Sequence, residues 1–190
     1  MIIAYTDFKS PAAYLAFRGT RELATELNVA VEWRPFRSSE RAAPTRVADQ
    51  TVTANHMRAR AETRRALHAH YASARGLTLN WPERALASDV ALGALACLGG
   101  DPEPFMTAAF NAYWIDNRDL DDPQVVQALL AQAGAVIEVF DEEGLRSALD
   151  TVQTQAEAEG VVDAPAFVVE DQLFVGREHF PWIRELLTAS

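Results

Sequence analysis

The chain predicts an α/β protein, with a sheet domain assembled from its two ends and a helical insertion between them. Three observations carry this. Residues 1–36 read as strand, helix, strand. Residues 141–190 read as helix, two short strands, helix. The stretch between them shows mostly helical spacing of its apolar residues. A β-α-β unit needs further strands to complete a sheet, and the last two strands are the simplest partners. The sheet domain is therefore expected to comprise residues 1–44 plus 136–190, and the helical insertion residues 45–135.

Each element has its own signal. Residues 1–6 are an apolar run suited to a buried strand. Ser10 suits an N-cap and Pro11 the first helical position. Leu15, Leu23 and Leu27 then mark a stripe at helical spacing, and Asn28 ends it. Val29, Val31 and Trp33 alternate, which predicts a second strand over 29–36. Pro35 ends that strand or places it at an edge. Residues 38–50 form a polar connector. Helices follow over 52–75, closed by Gly76, and over 83–98, closed by Gly99-Gly100. Asp101-Pro102 starts another helix, with Phe105, Ala109 and Ala112 on one face. Asp122-Pro123 starts the next, which buries Val125, Val126, Leu129 and Leu130 and ends at Gly134. Residues 136–140 suit a strand or an extended link. Asp141 caps a helix through Leu145, Leu149 and Val152 that ends at Gly160. Residues 167–169 and 173–175 read as a hairpin around Glu170-Asp171-Gln172. The last helix carries Phe180, Ile183, Leu186 and Leu187.

Bulk composition narrows the function. With 190 residues, 49% of them apolar, the chain can bury one substantial core. No run reaches the ~18 uncharged apolar residues of a membrane span. Met1-Ile2-Ile3-Ala4-Tyr5 has no basic leader, so no signal peptide is read there and a cytoplasmic protein is expected. A net charge of −10 repels phosphate backbones and argues against nucleic acid as a partner. Cys97 is the single cysteine, so an intramolecular disulfide or a Cys-x-x-Cys cycle cannot form. Its apolar surroundings suggest a small buried hydrophobe. His68 and His70 diverge on one helix, no cysteine cluster exists, and no metal site is expected.

Two short features carry the chemistry. Ser10 places a hydroxyl where a helix N-terminus favours an anion. Far downstream, Ala164-Pro165-Ala166 leads into the strand Phe167-Val168-Val169. A hydroxyl at a helix start and a proline entering a late strand are the skeleton of a thioredoxin-like thiol site that lacks its cysteine. Such a site binds another molecule's thiol. Only the thiolate is a good nucleophile, and a hydroxyl donor beside it stabilises that form. Read alone, Ser10 is simply an N-cap and Pro165 a trans turn proline.

The run Asp7-Phe8-Lys9-Ser10-Pro11-Ala12-Ala13-Tyr14-Leu15-Ala16 resembles the opening of 2-hydroxychromene-2-carboxylate isomerases, relatives of kappa-class glutathione transferases in the DsbA-like group. Gly160-Val161-Val162-Asp163-Ala164-Pro165-Ala166-Phe167-Val168-Val169 resembles the family's second signature, a glycine-rich approach to a cis-proline. Leu173-Phe174-Val175-Gly176-Arg177-Glu178 resembles its third. The resemblance covers essentially the whole chain. It implies a thioredoxin-like (DsbA-like) sheet domain with a helical insertion domain, and glutathione as cofactor.

The activity implied is a glutathione-dependent isomerase acting on an aromatic substrate, with Ser10 stabilising the bound thiolate. The alternatives are a kappa-class-like transferase acting on an electrophile, and a non-catalytic DsbA-like binding protein. The resemblance also admits a homodimer. It implies that Pro11, Ala164 and a cis Pro165 help to hold glutathione, with the Ala164 backbone pairing to the tripeptide. Glu178 stands where the family holds the γ-glutamyl amino group with an aspartate; read alone, it is a helix-start carboxylate. His179 is a ligand or an exposed cap residue. Lys9, the sole lysine, attracts a carboxylate or is a solvated surface residue. Arg34 and Arg37 offer similar charge, and Trp81, Tyr113 and Trp114 line an aromatic pocket or pack the core. Leu67 and His70 fall where the better-known isomerases carry an acid and a base, which leaves the substrate open. Replacing Ser10 by Ala is expected to remove activity with little loss of stability.

Overall fold

The computed structural model describes residues 1–38, 51–84 and 86–189. Two compact units are distinguished. One comprises Met1–Ser38 and Asn80–Ser190, the other Ser39–Leu79. Most of the expected connector and the 44/45 boundary fall outside the described residues.

The first unit opens with strand β1, Ile2–Thr6, followed by helix α1, Pro11–Leu27, and strand β2, Val31–Pro35. The cap signals act as read. Ser10 accepts the Ala13 amide, Pro11 occupies the first turn, and Asn28 closes α1 in the left-handed region at φ 52°. Strand β3, Ala166–Val169, and strand β4, Gln172–Val175, form the expected hairpin. Its loop is the two residues Glu170 and Asp171, at φ 48° and 63°. Positive φ at both positions matches the type I′ turn that suits strand twist.

The four strands form one sheet in the order β2-β1-β3-β4. β1 lies parallel to β2, with Ile2 opposite Val31 and Thr6 opposite Pro35. It runs antiparallel to β3, with Ile3 opposite Val168 and Tyr5 opposite Ala166. The ends of the chain therefore complete one sheet, and Pro35 sits on an edge strand where its missing N–H costs no ladder bond.

Strand alternation divides the core. Ile2, Ala4, Phe167 and Val169 face Ala16 and Leu23 of α1 and Ile183 of the last helix. Tyr5, Ala164 and Ala166 face the other way, with Phe36, Ala156 and Val161. That last helix is preceded by a single 3-10 turn, Arg177–His179.

Between β2 and β3 the same unit holds helices α3, Asp89–Cys97, α4, Glu103–Trp114, α5, Pro123–Ala133, and α6, Glu142–Ala158; the C-terminal helix, Phe180–Ala189, is α7. Asp122 and Asp141 cap α5 and α6 with their carboxylates, and Gly134 closes α5 at φ 65°. The second unit contains helix α2, Val52–Ala74, capped by Thr51 and followed by Gly76 at φ 65°.

Two expectations need correction, and one alternative left open is decided. The helix expected over 83–98 begins only at Asp89. Tertiary bonds hold the segment before it: Tyr113 Oη donates to the Leu86 carbonyl at 3.3 Å and Ser88 Oγ to Asp7 at 3.0 Å. Residues 136–140 form a link without strand pairing, with Val136 and Val139 exposed. Cys97, expected in the core, is exposed at the last position of α3. Periodicity places an apolar residue on a helix but does not show where the covering elements stop.

α3 and α6 approach closely at Gly93, where a Cβ would overlap the Leu145 carbonyl and lie 2.9 Å from the Leu145 Cβ. Since the obstacle is backbone, Gly93→Ala should destabilise the protein by about 1–3 kcal/mol or more despite alanine's better helix propensity. A urea denaturation midpoint equal to or above that of the wild type contradicts this reading of the contact.

Candidate functional site

Three segments converge beyond the end of β1. Asp7, Phe8 and Lys9 lead from the strand into α1, and the Ser10 amide donates to the Asp7 carbonyl at 3.1 Å. Ser10 takes an extended backbone, φ −80° and ψ 115°. Its Oγ accepts the Ala13 amide at 3.2 Å and donates to the Ala164 carbonyl at 3.0 Å. The Ala164–Pro165 peptide is cis. Pro11, Ala164 and Pro165 thus gather around Ser10, and Lys9 adjoins it, half-buried. The first turn of a helix leaves its amides without intrahelical acceptors, so the Ala12 N–H adds to the positive end of α1.

The third segment arrives through the hairpin. The Gly176 amide donates to the Pro165 carbonyl at 2.8 Å, which sets the 3-10 turn beside the proline. That turn also packs on α1. Glu178 is exposed and folds back over Gly176, where a Cβ would come within 2.5 Å of both carboxylate oxygens. Gly176 is at φ 96°, so glycine is required there twice over. His179 is half-buried, its ring 5.9 Å from that of Phe174.

Ser10 therefore has structural duties that sequence reasoning undervalued. It caps α1 and ties the N-terminal helix to the late turn, so its replacement is not free in stability.

The other basic candidates are spent on internal pairs. Arg34 donates to Glu32 at 2.7 Å and to Tyr5 Oη at 3.2 Å. Arg37 pairs with Asp89 at 2.9 Å and Asp150 at 3.2 Å. Tyr113 and Trp114 are core residues. The Trp114 indole donates to the Phe8 carbonyl at 2.9 Å and stacks on Tyr14, with ring centres 6.2 Å apart. Trp81 meets Trp114 edge-on at 5.2 Å. Leu67 and His70 lie on α2, both exposed.

Sequence reasoning missed Asp7. It is fully buried, and its carboxylate accepts the Lys9 amide at 3.1 Å, the Ser38 amide at 2.9 Å and the Ser88 hydroxyl at 3.0 Å. Burial pushes its pKa up to about 6, against the opposing pull of the Lys9 charge and these three hydrogen bonds. The available signal was a carboxylate placed directly after a buried strand. Asp163 was also missed: its Oδ1 accepts the Ala164 amide at 2.9 Å.

A cavity of about 1050 Å³ opens along α1 and residues 28–31, beside Glu103. None of the Ser10 group lines it. Its charges are matched, Arg18 with Glu22 at 2.7 Å and Arg21 with Glu103 at 2.5 Å, so concavity there is not accompanied by unpaired chemistry.

The family model described as a DSBA-like thioredoxin domain matches residues 1–188. A 2-hydroxychromene-2-carboxylate isomerase of Sphingobium xenophagum is 27% identical over 188 residues, spanning 96% of this chain and 95% of that protein. A solved 2-hydroxychromene-2-carboxylate isomerase superposes with a TM-score of 0.71 at 16% identity, covering 99% of this chain and 94% of its own. A probable DsbA oxidoreductase of Streptomyces coelicolor gives 0.72 at 18% identity, covering 99% and 88%. At such identities the two structural likenesses concern the fold alone.

The Asp7 environment has a measurable consequence. The folded carboxyl keeps its proton to about pH 6, whereas a free aspartate loses it near 3.8. The folded state therefore binds more protons in between, and this stabilisation is complete at low pH and lost as pH rises through 6. From pH 5 to 7.5 the loss should be on the order of 1 kcal/mol. Urea denaturation should show this slope in the wild type and not in Asp7→Asn, whatever that variant's absolute stability. Identical slopes in both proteins would remove Asp7 as the titrating group.

Proposed function

The chain belongs to the DSBA-like thioredoxin domain family, and on that premise we propose that it is a glutathione-dependent isomerase of the 2-hydroxychromene-2-carboxylate type. The supporting observation is the meeting of the Ser10 hydroxyl with the Ala164 carbonyl at 3.0 Å, at the start of α1 and beside Pro165. A hydroxyl and a helix N-terminus converge on one point, which suits a sulfur anion.

The donor set fits glutathione. Ser10 and the Ala12 amide in the first turn of α1 favour the thiolate. The Ala164 backbone suits an extended tripeptide, since it lies next to the sheet without belonging to it. Glu178, on the turn tied to Pro165, suits the γ-glutamyl amino group, with His179 beside it. Lys9 brings positive charge for a carboxylate. Bound there, glutathione supplies a nucleophilic thiolate that adds reversibly to an electrophilic carbon and leaves unchanged. Ser10 holds the sulfur by donating its hydroxyl proton, and for that it must release the Ala164 carbonyl.

With one cysteine, the chain has no intramolecular dithiol to cycle. Partial burial pushes the Cys97 thiol pKa up, which lowers its thiolate fraction. We accordingly assign the chemistry to the bound thiol. The reading also places the protein in the cytoplasm, where reduced glutathione is supplied.

Isothermal titration with glutathione and turnover of 2-hydroxychromene-2-carboxylate test the reading together. The expected result is binding in the wild type, and a loss of turnover of about 100-fold or more in Ser10→Ala, as for removal of an oxyanion donor. The same variant should lose about 1–2 kcal/mol of stability, through the helix cap and the Ala164 bond. Turnover unchanged by Ser10→Ala removes Ser10 from the mechanism. Conjugation of a model electrophile without isomerisation converts the reading to a kappa-class-like transferase. Glutathione binding with neither activity favours a binding protein.

A further inference from the structure

Ala164 is 4% exposed, yet it stands outside the sheet. The pairing of β3 with β1 and with β4 starts at Ala166, opposite Tyr5 and Val175. The Ala164 amide therefore has no strand partner. It donates to the carboxylate of the preceding residue, Asp163 Oδ1, at 2.9 Å. Its carbonyl accepts the Ser10 hydroxyl. Both backbone groups of the residue nearest Ser10 are thus satisfied from within the chain.

An amide just beyond the end of a strand pair is where an extended backbone can add its own carbonyl. Asp163 supplies an oxygen at that point, and its residue is exposed to solvent. We propose that Asp163 is an internal competitor at this point, an acceptor that holds the Ala164 amide until an amide-containing thiol displaces it. The inference rests on the glutathione reading and deepens it. A simple alkyl thiol brings no carbonyl to replace the carboxylate, so it gains nothing from the Ala164 amide. A peptide thiol exchanges one acceptor for another. It also brings carboxylates that the Asp163 charge opposes, an effect that salt weakens.

The test compares wild type, Asp163→Asn and Asp163→Ala by isothermal titration with glutathione at low and high salt. Asp163 is exposed, so both variants are expected to fold, which melting curves check. With the competing acceptor gone, Asp163→Ala should bind roughly three- to tenfold more tightly than wild type. Asp163→Asn keeps an acceptor oxygen and loses the charge, so it should fall between them and show the weaker salt dependence. A second readout needs no ligand: hydrogen exchange at the Ala164 amide should quicken about tenfold in Asp163→Ala. Equal glutathione affinities in the three proteins, or unchanged Ala164 exchange, overturn the inference and leave the glutathione reading standing. No binding in any of the three overturns that reading, and the inference with it.

Discussion

The antiparallel pairing of β1 with β3 is the constraint on which the rest of the molecule depends. Ile3, Ala4 and Tyr5 stand opposite Val168, Phe167 and Ala166. That register brings the start of α1 level with the turn that enters β3. From there a single hydrogen bond, Ser10 to Ala164, spans 154 positions of sequence. β1 is central, with a parallel neighbour on one side and an antiparallel one on the other. Neither end of the chain has a complete sheet without the other. The gathering of the Ser10 group follows from closing the sheet and needs no further device.

Electrostatics around that group are organised in depth. Asp7 lies beneath it, buried and held by donors from three places in the sequence, Lys9, Ser38 and Ser88. Those bonds connect the loop before α1 to the end of β2 and to the cap of α3. Lys9 offsets part of the cost of burying Asp7. The lone lysine is thereby engaged with an internal carboxylate as well as with the surface. Around the rim the balance is acidic, with Asp163 on the Ala164 amide and Glu178 over Gly176. Polar groups at this end of the sheet are largely satisfied by the protein itself, so a ligand placed there would have to exchange partners with them.

Much of the local structure was legible because it is written in adjacent residues. Ser10-Pro11, Asn28, Asp122-Pro123, Gly134 and Asp141 all act as the caps their types suggest. The thioredoxin-like arrangement was legible because strand signals cluster at the two ends. What escaped depends on contacts distant in sequence. The burial of Asp7 is completed by Ser38 and by Ser88, 81 positions away, which fold onto it. The delayed start of α3 comes from Tyr113 and Asp7 holding the segment before it, which helical periodicity cannot register. Asp163 looks like any polar loop residue until its carboxylate is seen on the neighbouring amide. Cys97 sits within an apolar run whose covering ends before it does.

The hairpin loop has a bearing on how this architecture can change. Glu170 and Asp171 alone join β3 to β4, and their backbone fixes which residue lies across from Pro165. One inserted residue would shift Gly176, and with it Glu178 and His179, by a step that reverses which way side chains point. Ser10, Ala164 and the helix start would keep their places, being anchored through β1. The hairpin loop thus sets the position of one half of the candidate site, and the Gly176–Pro165 bond and the packing of the 3-10 turn on α1 are what such an insertion would have to break.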